Sequence, residues 1–395
     1  MAAERGTNAA APAEPDPGRP AFLELFFDLV YVFALISLVK TLAVDLTLTG
    51  VGKTLVLLLA FTLVWALTTW AADTLDLARP AVQVQFIGVA AASLLLAAAA
   101  PDAYDERGLL FAVTYLAIHL GSSIYYLLLL PDAAELRRSG RILFWYTIAA
   151  IGWIGGGLAA GPTRLMFWAA TVGVEYVAAS FGWPVPRLGR SRPQEWRLVG
   201  GRVAERYRQF MIIALGASIF VTGTTFSLGE YTRDRAWALL VVFTIVVLTW
   251  RIYIYRAGEL LTDAIARSTN PSLLTQSAAV THLIMVAGIA GTAVTSHLVV
   301  GRPLGETPPS WAAVILGGPA LFLVGRGVLD YTVFGRISRS RLAGLILLAG
   351  VAPAASVLPP VVVALLAMTI LALIAAANLV STRVHPRTPM PPALG

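Results

Sequence analysis

From residue 22 onward the chain is a succession of apolar runs joined by short segments marked by Pro, Gly or charge. The runs fall at 22–44, 51–72, 81–100, 108–130, 140–160, 163–183, 206–226, 236–255, 275–300, 310–331, 341–358 and 360–381. A helix of ~20 residues spans the roughly 30 Å hydrocarbon core of a bilayer. There only helices and closed barrels satisfy every backbone polar group. The pattern predicts an all-α polytopic integral membrane protein with about twelve transmembrane helices. Composition leaves no soluble alternative, because 13% of residues are charged against about 25% in a soluble domain. With no cysteine, disulfides, thiolate nucleophiles and cysteine-ligated metals are excluded.

Lys and Arg near the spans set orientation. Twelve helices with both termini in the cytoplasm place 22 of the 29 basic residues inside and 7 outside. That bias predicts a multi-pass membrane protein with both termini on the cytoplasmic side. It also accounts for the net charge of +7 without nucleic acid; the partner implied is the lipid bilayer, with anionic headgroups beside the arginine-rich segment 187–208. Residues 1–20 lack the basic start and apolar centre of a secretory signal. They and residues 383–395 read as disordered cytoplasmic tails. Between them lie a first six-helix half at 21–183, an Arg-rich cytoplasmic loop at 184–204 and a second half at 205–382.

The halves open alike. Glu24, Phe26 and Asp28 are matched in spacing by Glu205, Tyr207 and Gln209. Trp65 and Trp250 close the second and eighth runs, and Gln85 and Gln276 each follow a proline (Pro80, Pro271) by five residues. An even number of spans per half would make such a repeat parallel.

The first run carries the most informative side chains. Glu24 and Asp28 are one helical turn apart, so with Tyr31 they form a polar stripe on one face of an otherwise apolar helix. A carboxylate at membrane depth is costly and turns toward a partner or a water-filled cavity. Glu205 and Arg206 enter from the same side on the seventh run, and His282 lies about two turns into the ninth. Arg251, and the i, i+4 pair Arg326 and Asp330, sit near the cytoplasmic exits of the eighth and tenth. Together these residues predict a charged layer in the inner third of the bilayer, with carboxylates paired to guanidinium groups. Glu175 and Asn378 read as interhelical hydrogen-bonding glue, His119 as a structural histidine, and the Gly155–Gly157 and Gly317–Gly318 clusters as close helix contacts.

Catalytic signatures are missing. The chain contains no Gly-x-Ser-x-Gly, His-Glu-x-x-His or Walker-type loop, so common hydrolase, zinc-protease and NTPase chemistries lack their parts. His282 and His297 have no helical spacing for a shared metal, and Asp73 with Asp76 is only a lone pair of acids. Neither metal nor cofactor is expected.

Glu24-Leu-Phe-Phe-Asp28-Leu-Val-Tyr31-Val-Phe-Ala resembles the opening motif of the bacterial low temperature requirement A family. Ala204-Glu205-Arg206-Tyr207 with Ile212-Ile213-Ala-Leu-Gly216 resembles its second motif, and Trp250-Arg-Ile-Tyr253 its Trp-Trp-x-Tyr-Phe element. His282 with Gly288-Ile289, then Gly317-Gly318-Pro-Ala-Leu-Phe-Leu, resemble the last two. The resemblance implies a many-helix protein of the bacterial cytoplasmic (inner) membrane, from a family whose name records a growth phenotype and not a molecular activity. Arg202, Arg208 and Ala217 stand where the family usually has His, Gly and a second Glu.

The reading that follows is a transporter-like protein, not an enzyme. Glu24, Asp28 and Glu205 would bind a cation or proton, Arg206 and Arg251 would balance charge, and His282 would tune the site. Its rivals are an intramembrane enzyme acting on a lipid or isoprenoid with Asp28 or Glu24 as general acid, and a non-catalytic stress-adaptation protein.

Overall fold

A computed structural model describes residues 22–75, 77–129, 133–191, 200–255, 261, 263–265, 268 and 271–384. The expectations for the two tails, for Asp76 and for the centre of the Arg-rich segment lie outside these residues, as do those for the side chains of Asp73 and Arg202. Twelve α-helices are described: α1 Phe22–Val44, α2 Leu48–Thr74, α3 Pro80–Ala99, α4 Gly108–Leu129, α5 Ala133–Leu158, α6 Gly161–Ser180, α7 Gly200–Ser227, α8 Arg233–Ile254, α9 Pro271–Gly301, α10 Pro309–Phe334, α11 Arg339–Val351 and α12 Pro360–Val384. No strand occurs among the described residues; one isolated bridge joins Val185 to Gly189.

Ten helices are long and apolar enough to cross a membrane. The two that are not are α6, which carries Arg164 and Glu175, and α11, which has only 13 residues before a 3₁₀ turn, Ala352–Val357, extends it. Pro359 and Pro360 separate α11 from α12, so the last two runs are distinct helices. α7 begins at Gly200, so residues 200–204, expected as loop, are helical.

Local chemistry sets the ends. Pro80, Pro271, Pro309 and Pro360 each open a helix, where a missing N–H costs nothing. Thr47 caps α2 by accepting from the Gly50 N–H at 3.2 Å. The hydroxyl and N–H of Thr47 also donate to Asp45, holding that carboxyl below its usual range. Gly335 ends α10 at φ 66°, a left-handed conformation that costs glycine little.

Buried arginines close other ends. Arg164 donates to the carbonyls of Gly156 and Ala159 at the end of α5 and of Ala103 and Asp105 beyond α3. Arg235 does the same for Thr225 on α7 and Val300 on α9. Arg326 donates to Ile252 and Tyr255 at the end of α8. A cation over the orphan carbonyls of a helix C-terminus satisfies them and meets the negative end of the macrodipole.

The packing order repeats. α1 lies against α2 and α3 as α7 lies against α8 and α9; α3–α4, α4–α5, α5–α6 and α2–α6 recur as α9–α10, α10–α11, α11–α12 and α8–α12. α1 joins the two sets by packing on α7 and α9. The tightest seam is α9–α10, where a Cβ on Gly288 would come within 2.4 Å of the Phe322 nitrogen and one on Gly318 within 2.7 Å of the Thr292 nitrogen. Gly317 meets nothing within 4 Å, so only one of the paired glycines makes the contact.

A buried charge cluster joining helices 1, 2 and 7

Helical periodicity decides which way α1 turns its acids. Glu24, Phe27, Asp28, Tyr31 and Leu35 face inward, while Phe22, Leu25, Phe26, Leu29 and Phe33 are exposed on the other side. Glu24 is 1% and Asp28 5% accessible. Both therefore enter the interior near the end of the bundle where α1 and α7 begin and α2 finishes, here called the near face.

Arg206 on α7 reaches across to them. Its Nη2 donates to Glu24 Oε1, and its Nη1 lies 3.9 Å from Asp28 Oδ2 while donating to Gln209 Oε1 at 3.0 Å. On the other side, Trp65 Nε1 of α2 donates to Asp28 Oδ1 at 3.0 Å. The Trp65 indole stacks on Phe210 of α7 with centroids 4.4 Å apart. Three helices are thus tied through six side chains. Burying such charges costs several kcal/mol per ion unless partners and hydrogen bonds return it. Arg206 and Trp65 supply those partners.

Glu24 and Asp28 both lie against the Arg206 guanidinium, and Asp28 Oδ2 has no hydrogen-bond partner among the described residues. An unpartnered carboxylate oxygen is an acceptor that a proton or a cation would satisfy.

The remaining candidates fall elsewhere. Tyr31 packs its ring on Phe27 and Phe61, with its hydroxyl against Ser93. Glu205 turns outward and pairs with Arg208 at 3.4 Å, both about one-third exposed. Arg251 is half-buried on α8 and makes no ion pair among the described residues. His282 is buried between two tyrosines: its Nε2 lies 3.1 Å from the Tyr253 hydroxyl and its ring stacks on Tyr207 at 4.7 Å. Its Nδ1 is 2.6 Å from the Ala278 carbonyl of its own helix. Arg326 and Asp330 form a second ion cluster with Arg341 of α11, in which Arg326 also caps α8.

The structure therefore brings Glu24, Asp28 and Arg206 into one site. Glu205, Arg251, His282, Arg326 and Asp330 lie in other surroundings. Trp65 and Gln209, which complete the site, stand out in sequence only as repeat markers, because an indole N–H and an amide in apolar runs look like interfacial or packing residues. Tyr253 stands out only within the stretch Trp250–Tyr253 that resembles a family element, and Arg341 carries no signal of its own.

Comparison with known proteins follows the same outline. The sequence model described as "Bacterial low temperature requirement A protein" matches residues 19–376. "Uncharacterized protein RA0937" of Rhizobium meliloti (strain 1021) is 34% identical over 327 residues, which is 82% of this chain and 80% of that protein. No solved structure matches. With most of its length matched, the chain belongs to the bacterial low temperature requirement A family and is a multi-pass membrane protein.

Proposed function

We propose that this is a transporter-like protein of the bacterial inner membrane, with twelve crossings in two six-helix halves and both termini in the cytoplasm. In this reading the near face is cytoplasmic, and Glu24, Asp28 and Arg206 hold a proton or small cation. The observation that carries the reading is the unequal sharing of Arg206: Glu24 takes a direct hydrogen bond and Asp28 keeps an oxygen with none. An acid with an open acceptor, one turn inside the membrane, can exchange its countercharge without dismantling the pair beside it. The recurring packing order of α1–α6 in α7–α12 supports a duplicated unit, with the site where the halves meet, as in parallel-repeat transporters.

Flux in proteoliposomes tests this. Wild-type protein is expected to move protons or a monovalent cation down an imposed gradient, and Asp28→Asn to fall to the background of protein-free vesicles while keeping its thermal stability. Background flux from wild type for protons, common cations and small metabolites would remove the transport reading. Equal flux from wild type and Asp28→Asn would remove Asp28 from it.

A further inference from the structure

The first six helices bury a second acid, which the cluster on α1 does not touch. Glu175 of α6 is 1% accessible. Tyr115 of α4 donates to its Oε2 and Trp153 of α5 to its Oε1, each at 2.8 Å. Trp168 and Phe111 pack around these two rings. No ion pair to Glu175 occurs among the described residues. Two neutral donors do not offset a full negative charge at this depth, and an isolated carboxylate in apolar surroundings neutralises instead. Both oxygens are engaged and aromatic rings fill the space around them. A proton is the one cation that needs no room.

A row of polar groups runs from this acid toward the near face. The Tyr146 ring lies 6.1 Å from that of Tyr115, and its buried hydroxyl has no hydrogen-bond partner among the described residues. The His119 ring stacks on Tyr146 with centroids 3.9 Å apart and meets Tyr115 edge-on at 4.6 Å. His119 is 3% accessible, and its Nε2 has no hydrogen-bond partner. The histidine also lines a cavity of about 40 Å³, together with Thr68, Ser122, Ser123, Tyr126 and Arg138. One water needs ~10–15 Å³ and two or more polar partners, so this cavity has room for two or three waters against the imidazole. It opens where α2 and α4 end and α5 begins. Trp183, held at φ 56° and fully buried, lies over Tyr146 at 5.8 Å and closes the row on its other side.

We infer that Glu175 is a proton-binding site, loaded from the near-face cavity through His119, Tyr146 and Tyr115. One proton leaves a cavity water and one O–H bond forms on the Glu175 carboxylate. The His119 imidazole and each hydroxyl between them give up one proton and take one, and the cavity water regains its proton from solvent, so the relay is unchanged in total. The titratable groups facing Glu175 are Tyr115 from α4 and Tyr146 from α5. Tyr176, its neighbour on α6, turns to α2 and donates to the Leu59 carbonyl at 3.1 Å. Facing His119 are the same Tyr115 and Tyr146, with Tyr126 and Arg138 across the cavity.

Infrared spectroscopy of the full-length protein in lipid nanodiscs tests this. Wild type is expected to show a protonated-carboxyl band that Glu175→Gln removes and Asp28→Asn retains, which separates this site from the cluster on α1. His119→Phe should keep the band and slow its response to a pH jump at least tenfold. Thermal unfolding supplies a second readout: glutamine is the neutral isostere of the protonated acid, so Glu175→Gln should melt within a few degrees of wild type. The same band in Glu175→Gln as in wild type, or unfolding of that variant, would overturn the site. A wild-type pH response in His119→Phe would overturn the route.

Discussion

Arg206 is the residue whose loss strands the most charge. Arg206→Met removes the guanidinium that Glu24 and Asp28 share, and breaking a buried pair costs about 3–5 kcal/mol. A fall of that size in detergent unfolding is expected. Adding Glu24→Gln and Asp28→Asn to Arg206→Met should restore most of it, because the three interact as one network and are not additive. A triple variant as unstable as Arg206→Met alone would show that Arg206 acts through packing. Trp65→Phe removes one donor to Asp28 while keeping most of the stack on Phe210. It should cost about 1–3 kcal/mol, the penalty for an unsatisfied buried acceptor, and Asp28→Asn should reduce that cost. The inward stripe of α1 is legible from the i, i+4 spacing of Glu24 and Asp28. The choice of Arg206 over Arg251 as their cation is not, since both lie at similar depth in sequence and only helix adjacency separates them.

At the scale of elements, the α9–α10 seam depends on glycine because backbone meets backbone there. Gly288→Leu or Gly318→Leu must push the helices apart, at a cost of at least ~1–3 kcal/mol from overpacking. Gly317→Ala, whose new methyl meets nothing, should melt like wild type. Equal melting of all three would mean that the seam is looser than its geometry. The far face has a comparable dependence on Arg164 and Arg235. Arg235→Ala frees carbonyls on α7, α9 and the α7–α8 turn, so faster amide hydrogen exchange is expected at those helix ends and not at α4 or α5. Sequence shows these arginines as exceptions to the positive-inside bias. Their role as caps requires the neighbouring helix ends to be in place.

Across the whole molecule, orientation and duplication are linked. Because the chain has no cysteine, single introduced thiols report topology directly. Gly305→Cys in the exposed α9–α10 turn should react with a membrane-impermeant maleimide in intact cells. Arg190→Cys, in the exposed segment after α6, should react only after permeabilisation. The opposite pattern would invert the assignment of faces and the direction of both sites, leaving the packing unchanged.

The succession of apolar runs by itself determined that this chain is a helical membrane protein. It did so because hydrocarbon enforces internal backbone hydrogen bonding whatever the side chains do. The pairing of runs 1 and 7, the isolation of Glu205 and His282 from Glu24, and the burial of Glu175 among aromatic rings were decided only by tertiary structure. Helical period tells which side chains share a face, but not which helix that face meets. For a charge inside a membrane, the identity of that neighbour fixes whether it is paired, capped or left to take a proton.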